Sequence, residues 1–165
     1  MASTQSQLPK LGLAVVLLAA AGVFFFRWMN TGTGVSEKAF FYDLSERRLY
    51  VADRGLIPPI TGVNDSAEDG VRAVVVSTNG QPELESTWVI AYLETCAPEL
   101  KEKLQAAKAA QAAPDISRTT AQGLRLVKRP DDSTWVSLAT PEGEQIVSEW
   151  LQWGTDKNPP AICTP

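Results

Sequence analysis

The feature that most constrains this chain is an uncharged, apolar run near its N-terminus. Residues 11–26 carry no charged side chain, and the run extends to Met29 because Arg27 can reach back to the lipid headgroups. A helix over residues 11–29 would be roughly 28 Å long, which matches the hydrocarbon core of a bilayer. Trp28 lies where amphipathic rings settle at the membrane boundary. The sequence therefore predicts one transmembrane helix over residues 11–29, with the lipid bilayer as its partner.

A cleaved secretory signal is the main alternative interpretation of this run. Residues 1–10 carry one base and no acid, and the alanines at 19–21 offer a small-residue cleavage site. Five more apolar residues follow these alanines, however, whereas a cleavage site normally lies in a polar stretch after a shorter apolar core. Retention as an anchor is therefore the prediction, and cleavage or a buried soluble helix are the alternatives.

The charges near the anchor do not decide its orientation. Lys10 lies on one side and Arg27 and Lys38 lie on the other, so the positive-inside rule gives a near tie. A short N-terminal tail (residues 1–10) inside and a large C-terminal domain outside is the common signal-anchor arrangement. We therefore expect a single-pass protein of the inner (cytoplasmic) membrane with an extracytoplasmic domain. All nineteen acids follow residue 30, which argues against nucleic acid as a partner.

Beyond the anchor, the sequence predicts a linker over residues 30–37, one domain over residues 38–157 and an irregular, proline-rich tail over residues 158–165. Apolar patterns and turn residues predict two hairpins, two further strands and two helices. The strands are expected within 39–44, 49–52, 71–78, 88–94, 124–129 and 134–138, and the helices begin at Pro98 and Pro141, with a polar loop over 115–123. This order favours an α+β domain with an antiparallel sheet and two helices.

The residue types exclude several kinds of chemistry. The chain has no histidine, so Ser-His-Asp and Cys-His catalysis and histidine-ligated metal sites are impossible within it. Asp65, Asp69 and Gly70 match positions 1, 5 and 6 of a calcium loop, but positions 3 and 12 are Ala67 and Val76. A solvated acidic loop is the preferred interpretation. We therefore predict no catalytic residue, no cofactor and no metal site.

Two cysteines and four tryptophans are the remaining candidates. Cys96 and Cys163 would pair as a disulfide if the domain lies in an oxidising compartment, and otherwise they are two isolated thiols. Trp88, Trp135, Trp150 and Trp153 are expected to be core residues, although they could alternatively line an aromatic groove. Of the four, Trp153 lies off the apolar stripe of its helix and is the exception that is expected to be exposed.

The order of short motifs in the first half of the domain resembles a bacterial protein group. Residues 40–44, 48–51, 56–60 and 70–75, with a looser match at residues 141–143 and 163–165, look like small single-pass membrane proteins of planctomycete-type bacteria. This group has no assigned activity. The resemblance implies a bacterial membrane-anchored protein and assigns no functional residue.

Two function classes follow from these features. The first is a non-catalytic binding or scaffolding module at the membrane surface, whose partner is another membrane or envelope protein held at the edge of the hairpin over residues 39–52. The second is a tethered carboxylate-based enzyme or small-ligand receptor, for instance with a sugar-type cleft around Trp153 and Asp131. The absence of histidine favours the module.

Overall fold

One antiparallel sheet organises the domain in the computed structural model, which describes residues 36–64, 67–155 and 157–165. Across the sheet the strand order is β2-β1-β3-β4-β5-β6, and β7 pairs with β3. The strands are β1 (Lys38–Asp43), β2 (Arg48–Asp53), β3 (Gly70–Ser77), β4 (Trp88–Cys96), β5 (Arg125–Lys128), β6 (Val136–Ser137) and β7 (Ala161–Ile162). The predicted α+β class is confirmed for this part of the chain.

The predicted anchor at residues 11–29, the tail at 1–10 and most of the linker lie outside the described residues. Within the described part, no helix is long and apolar enough to cross a bilayer.

The two predicted hairpins are present, and a third joins the two central strands. In the first hairpin Phe41 faces Tyr50, and its turn places Arg47 at a φ of 52°. In the last hairpin only two residue pairs form, Leu126 with Ser137 and Val127 with Val136. The β3–β4 hairpin forms the middle of the sheet.

Three α-helices accompany the sheet in the described part of the chain: α1 (Pro98–Ala109), α2 (Arg118–Gly123) and α3 (Pro141–Ser148). The Thr140 hydroxyl caps α3 by accepting the Gly143 N–H at 3.1 Å, and Pro141 occupies the first turn as predicted. The prediction of a loop over residues 115–123 is wrong, because α2 forms there. Its cap is Ser117, which accepts the Thr120 N–H. With no apolar stripe, α2 lacks the periodic signal that identifies a helix.

The main core lies on one face of the central strands. Phe40, Val71, Ala73, Val75, Leu93 and Cys163 are buried together there. Trp88 closes one end of this cluster, its ring meeting that of Phe40 edge-on with the centroids 5.1 Å apart.

A bulge in β4 corrects the expected alternation of its side chains. The sequence pattern places Trp88 and Ile90 on the face opposite Leu93. In the structure Val75 pairs with Ile90 while Val74 pairs with Tyr92, so one residue of β4 is extra. The extra residue shifts the alternation, and Trp88 and Ile90 pack against the same cluster as Leu93.

The C-terminal tail is not irregular throughout, which corrects the prediction for residues 158–165. Ala161 pairs with Ser77 and Ile162 with Val76, and the Cys163 N–H donates to the Val75 carbonyl at 2.9 Å. The reason lies in β1, which pairs with β3 only up to its first three residues, Gly70 to Arg72. The tail supplies partners for the buried strand where β1 no longer reaches.

Candidate functional site

An incomplete stretch of β4 marks the candidate site. Strand β3 pairs with β4 from Trp88 to Glu94, but β5 pairs with it only from Leu93 to Cys96. Among the described strands, residues 89–92 of β4 therefore have a neighbour on one side only. The cause is local, because β5 ends at Lys128 and Pro130 cannot donate to a ladder.

A groove of about 430 Å³ runs along this stretch. Its volume falls within the range of small-ligand sites, roughly 300–1,000 Å³. Apolar side chains are unusually accessible here, with Val89 44% and Trp153 40% exposed. The walls are Val89, Ile90 and Ala91 of β4 on one side and Arg129, Pro130, Asp131, Glu149 and Trp153 on the other.

The charged wall of the groove is held by one ion pair. The Arg129 guanidinium donates from Nε to Glu149 Oε1 at 2.7 Å and from Nη2 to Glu149 Oε2 at 2.6 Å. Its Nη1 also lies 3.5 Å from Asp132 Oδ2. Hydrogen bonding to Glu149 raises the pKa of Arg129 further above its ordinary value. Asp131 is exposed, so the wall presents more negative than positive charge.

The structure therefore brings together the two residues predicted for a sugar-type cleft, Trp153 and Asp131. The predicted exposure of Trp153 is confirmed. Three further tryptophans of the described part, Trp88, Trp135 and Trp150, are half-buried and make structural contacts. Trp88 Nε1 donates to the Pro82 carbonyl and Trp150 Nε1 to the Val147 carbonyl, while Trp135 packs against the core.

The ring of Trp135 also makes a cation–π contact with a buried lysine, Lys128. The Lys128 ammonium lies 5.2 Å from the ring centroid and donates to the Asp132 carbonyl at 2.8 Å. These contacts compensate the desolvation of a lysine that is almost fully buried.

The predicted pairing of Cys96 with Cys163 is incompatible with this fold, and both are free thiols. Cys163 is hydrogen-bonded to Val75, which pairs with Ile90 of β4. Cys96 lies six positions farther along β4, and because one of these is the bulged residue, the separation along the strand is about 16 Å at 3.3 Å per residue. A disulfide needs Cα atoms within roughly 7 Å. Burial raises the pKa of both thiols.

The acids of the loop before β3 have structural partners. Asp69 Oδ2 accepts the Ser45 N–H at 3.1 Å, and Glu68 forms an ion pair with Lys101 at 2.8 Å. Asp65 lies outside the described residues. Among the residues that are described, no three acidic or cysteine side chains are grouped so that they could hold a metal.

A second candidate surface is the outer edge of β2. This strand ends the sheet and pairs only with β1 among the described strands. Val51 in its middle is 51% exposed. The opposite terminal strand, β6, has only two residues. The edge predicted as a partner contact is therefore open over six residues.

Besides a cleft of about 250 Å³ between α1 and residues 56–61, two smaller clefts lie between α1 and the end of β4. One, of about 310 Å³, lies between Trp135, Asp69 and Lys101. The other, of about 250 Å³, contains the Arg125–Glu94 ion pair. Lys101 and Glu68 in the first cleft, like Arg125 and Glu94 in the second, form ion pairs. Three buried polar atoms that line these clefts, Asp69 Oδ1, Arg72 Nε and Thr95 Oγ1, have no hydrogen-bond partner among the described residues.

Sequence reasoning missed the roles of Arg129, Glu149 and Val89. In the sequence, Arg129 has the pattern of a solvated turn charge. The available signal is Pro130, which ends β5 while the facing part of β4 continues.

In the comparisons with known proteins, no family model, no curated protein and no solved structure matches this chain.

Proposed function

We propose that this chain is a membrane-anchored, non-catalytic binding module that holds an extended segment of another membrane or envelope protein on the edge of β2. The observation that carries the proposal is the open, six-residue edge of β2 with Val51 exposed at its centre. An open edge offers main-chain donors and acceptors to an added strand, and exposed side chains select its sequence.

Site-specific crosslinking tests this proposal. A photoreactive phenylalanine analogue replaces Val51 in the full chain, expressed in bacterial membranes. The matched control places it at Val63, which is comparably exposed but lies in a loop. A discrete adduct at position 51 that is absent at position 63 supports the proposal. Equal adducts at both positions, or none at 51, contradict it.

The proposal includes anchoring by residues 11–29 in the inner membrane, with the domain on the outer side. A reporter fused to the C-terminus that is active only outside the cytoplasm tests the orientation. Activity of a cytoplasm-only reporter would overturn it. A mature protein beginning near Gly22 would overturn retention of the anchor.

A carboxylate-based enzyme or sugar-type receptor is the second candidate, favoured because Trp153 and Asp131 line one groove. A carboxylate-pair hydrolase needs two free acids across the site. Here Glu149 is occupied by Arg129, which leaves Asp131 alone. Saturable binding of neutral monosaccharides that Trp153→Ala abolishes would favour the receptor.

A further inference from the structure

The two sides of the β3–β4 hairpin are completed differently. On the β3 side, β1 covers Gly70 to Arg72, and the short strand β7 takes over at Val76 and Ser77. On the β4 side, the pairing with β5 ends at Leu93 of β4, which faces Lys128. Among the described residues no strand pairs with this side of residues 89–92. The fold thus fills one gap with an extended segment of its own and leaves the equivalent gap without a strand, with Val89 exposed and Ala91 buried in it.

The open gap has a defined chemical character. Val89 presents an exposed aliphatic surface beside the strand edge, and the Trp153 indole lies on the facing wall. Asp131 is the exposed carboxylate of this wall, whereas Glu149 is held by Arg129. An indole face and a carboxylate both attract a cation.

The charge of the chain agrees with this local pattern. After residue 35 there are thirteen Lys and Arg against nineteen Asp and Glu. A basic segment is therefore attracted to the domain as a whole, and the groove concentrates that attraction at Asp131.

We infer that residues 89–92 of β4 accept an extended segment of a partner polypeptide that carries a Lys or Arg side chain flanked by apolar residues. The backbone of the segment pairs with β4, its apolar side chains contact Val89, and its basic side chain contacts Trp153 and Asp131. The inference concerns a surface separate from the β2 edge and stands independently of that proposal.

Selection from a random library of displayed nonapeptides, on the full chain in nanodiscs, tests the inference. We expect enrichment of peptides with β-branched residues around one Lys or Arg. The enriched peptide is then synthesised, and its dissociation constant is measured by calorimetry. Asp131→Asn is expected to weaken binding about two- to fivefold, as for an exposed ion pair. Trp153→Ala is expected to weaken it about tenfold or more.

Three controls separate binding in this groove from binding elsewhere on the domain. Glu142→Gln removes an exposed acid from α3 outside the groove and should leave the affinity unchanged. Val51→Lys at the β2 edge should also leave it unchanged, whereas Val89→Lys should abolish it. Hydrogen exchange should show new protection in the complex at those amides of residues 89–92 that point away from β3.

Three results would overturn the inference. The first is a selection without enrichment above background. The second is enriched peptides that lack a basic residue or that bind Asp131→Asn as tightly as the unmodified chain. The third is binding that Val51→Lys abolishes and Val89→Lys does not, which would place the peptide on β2 instead.

Discussion

The Arg129 guanidinium and the Glu149 carboxylate meet through two parallel hydrogen bonds, which join the end of β5 to the turn that follows α3. The pair therefore fixes the spacing between the two elements that form the charged wall of the groove. A fork of this kind is specific to arginine, because lysine offers a single ammonium group.

Arg129→Lys is expected to keep the charge and lose the fork. Both side chains are partly exposed, at 34% and 23%, so solvent screens the pair, and the loss should be about 1 kcal/mol of unfolding free energy. Urea denaturation of the full chain in detergent measures it. Arg118→Lys, at an exposed position of α2, is the matched control. Equal effects of the two changes would contradict a structural role for the fork.

Asp43 is expected to make the stability depend on pH in the acid range. Its buried carboxylate accepts the N–H groups of Glu46 and Val63, each at 2.8 Å, and these bonds hold its pKa below the ordinary value of 3.8. The lowered pKa contributes stability that is fully present above about pH 3.8 and is lost as the pH falls through the folded-state pKa.

Unfolding curves between pH 2 and pH 7, a range that spans the ordinary carboxylate pKa, measure this effect. Asp43→Asn should lower stability at neutral pH and flatten the acid limb of the profile. Asp115→Asn, an exposed acid in a loop, should leave the profile as it is. An unchanged acid limb in the Asp43→Asn variant would show that other groups cause the pH dependence.

Two glycines offer a matched test of how closely α3 approaches the sheet. A Cβ atom at Gly143 would overlap the Ser137 carbonyl and lie 2.9 Å from Leu138 Cα, whereas a Cβ at Gly123 meets nothing within 4 Å. Gly143→Ala should therefore destabilise the domain by about 1–3 kcal/mol. Gly123→Ala, in α2, should stabilise it by about 0.5 kcal/mol.

Thermal unfolding of both variants, followed by circular dichroism, separates these effects. A neutral Gly143→Ala variant would mean that α3 does not approach Ser137 closely.

Both cysteines should be reduced, whichever side of the membrane holds the domain. Labelling of the unreduced, denatured chain with a maleimide should add two labels, counted by mass spectrometry. In the folded chain at neutral pH the reaction should be slow, because Cys163 is 4% exposed and burial raises the pKa of both thiols. A denatured chain that takes no label would re-establish the disulfide.

Local patterns in the sequence predict most of the elements, because their causes are local. Thr140 and Pro141 specify the start of α3 through a cap and a fixed φ, and the run of three aromatic residues after Ala39 favours a strand. The strand at Ala161 escapes prediction because only β3, more than 80 residues earlier, provides its partner. The sequence predicts two of the residues that line the groove but not the groove itself. The sequence suggests Trp153 and Asp131 together, but the register that leaves β4 open depends on where β5 stops.

The attachment of β7 has a consequence for the order in which the domain opens. This strand is held by two residue pairs and by Cys163, far fewer bonds than join β3 to β4. Together with β6, which also forms two residue pairs, it is therefore one of the two strands of the sheet whose release should cost the least free energy, and its fluctuations should be independent of global unfolding. When it detaches, the edge of β3 at Val76 meets solvent although this residue is fully buried in the closed state. Amide exchange at the end of β3 should accordingly report this sub-global opening, while Val71 in the same strand exchanges only when the whole domain unfolds.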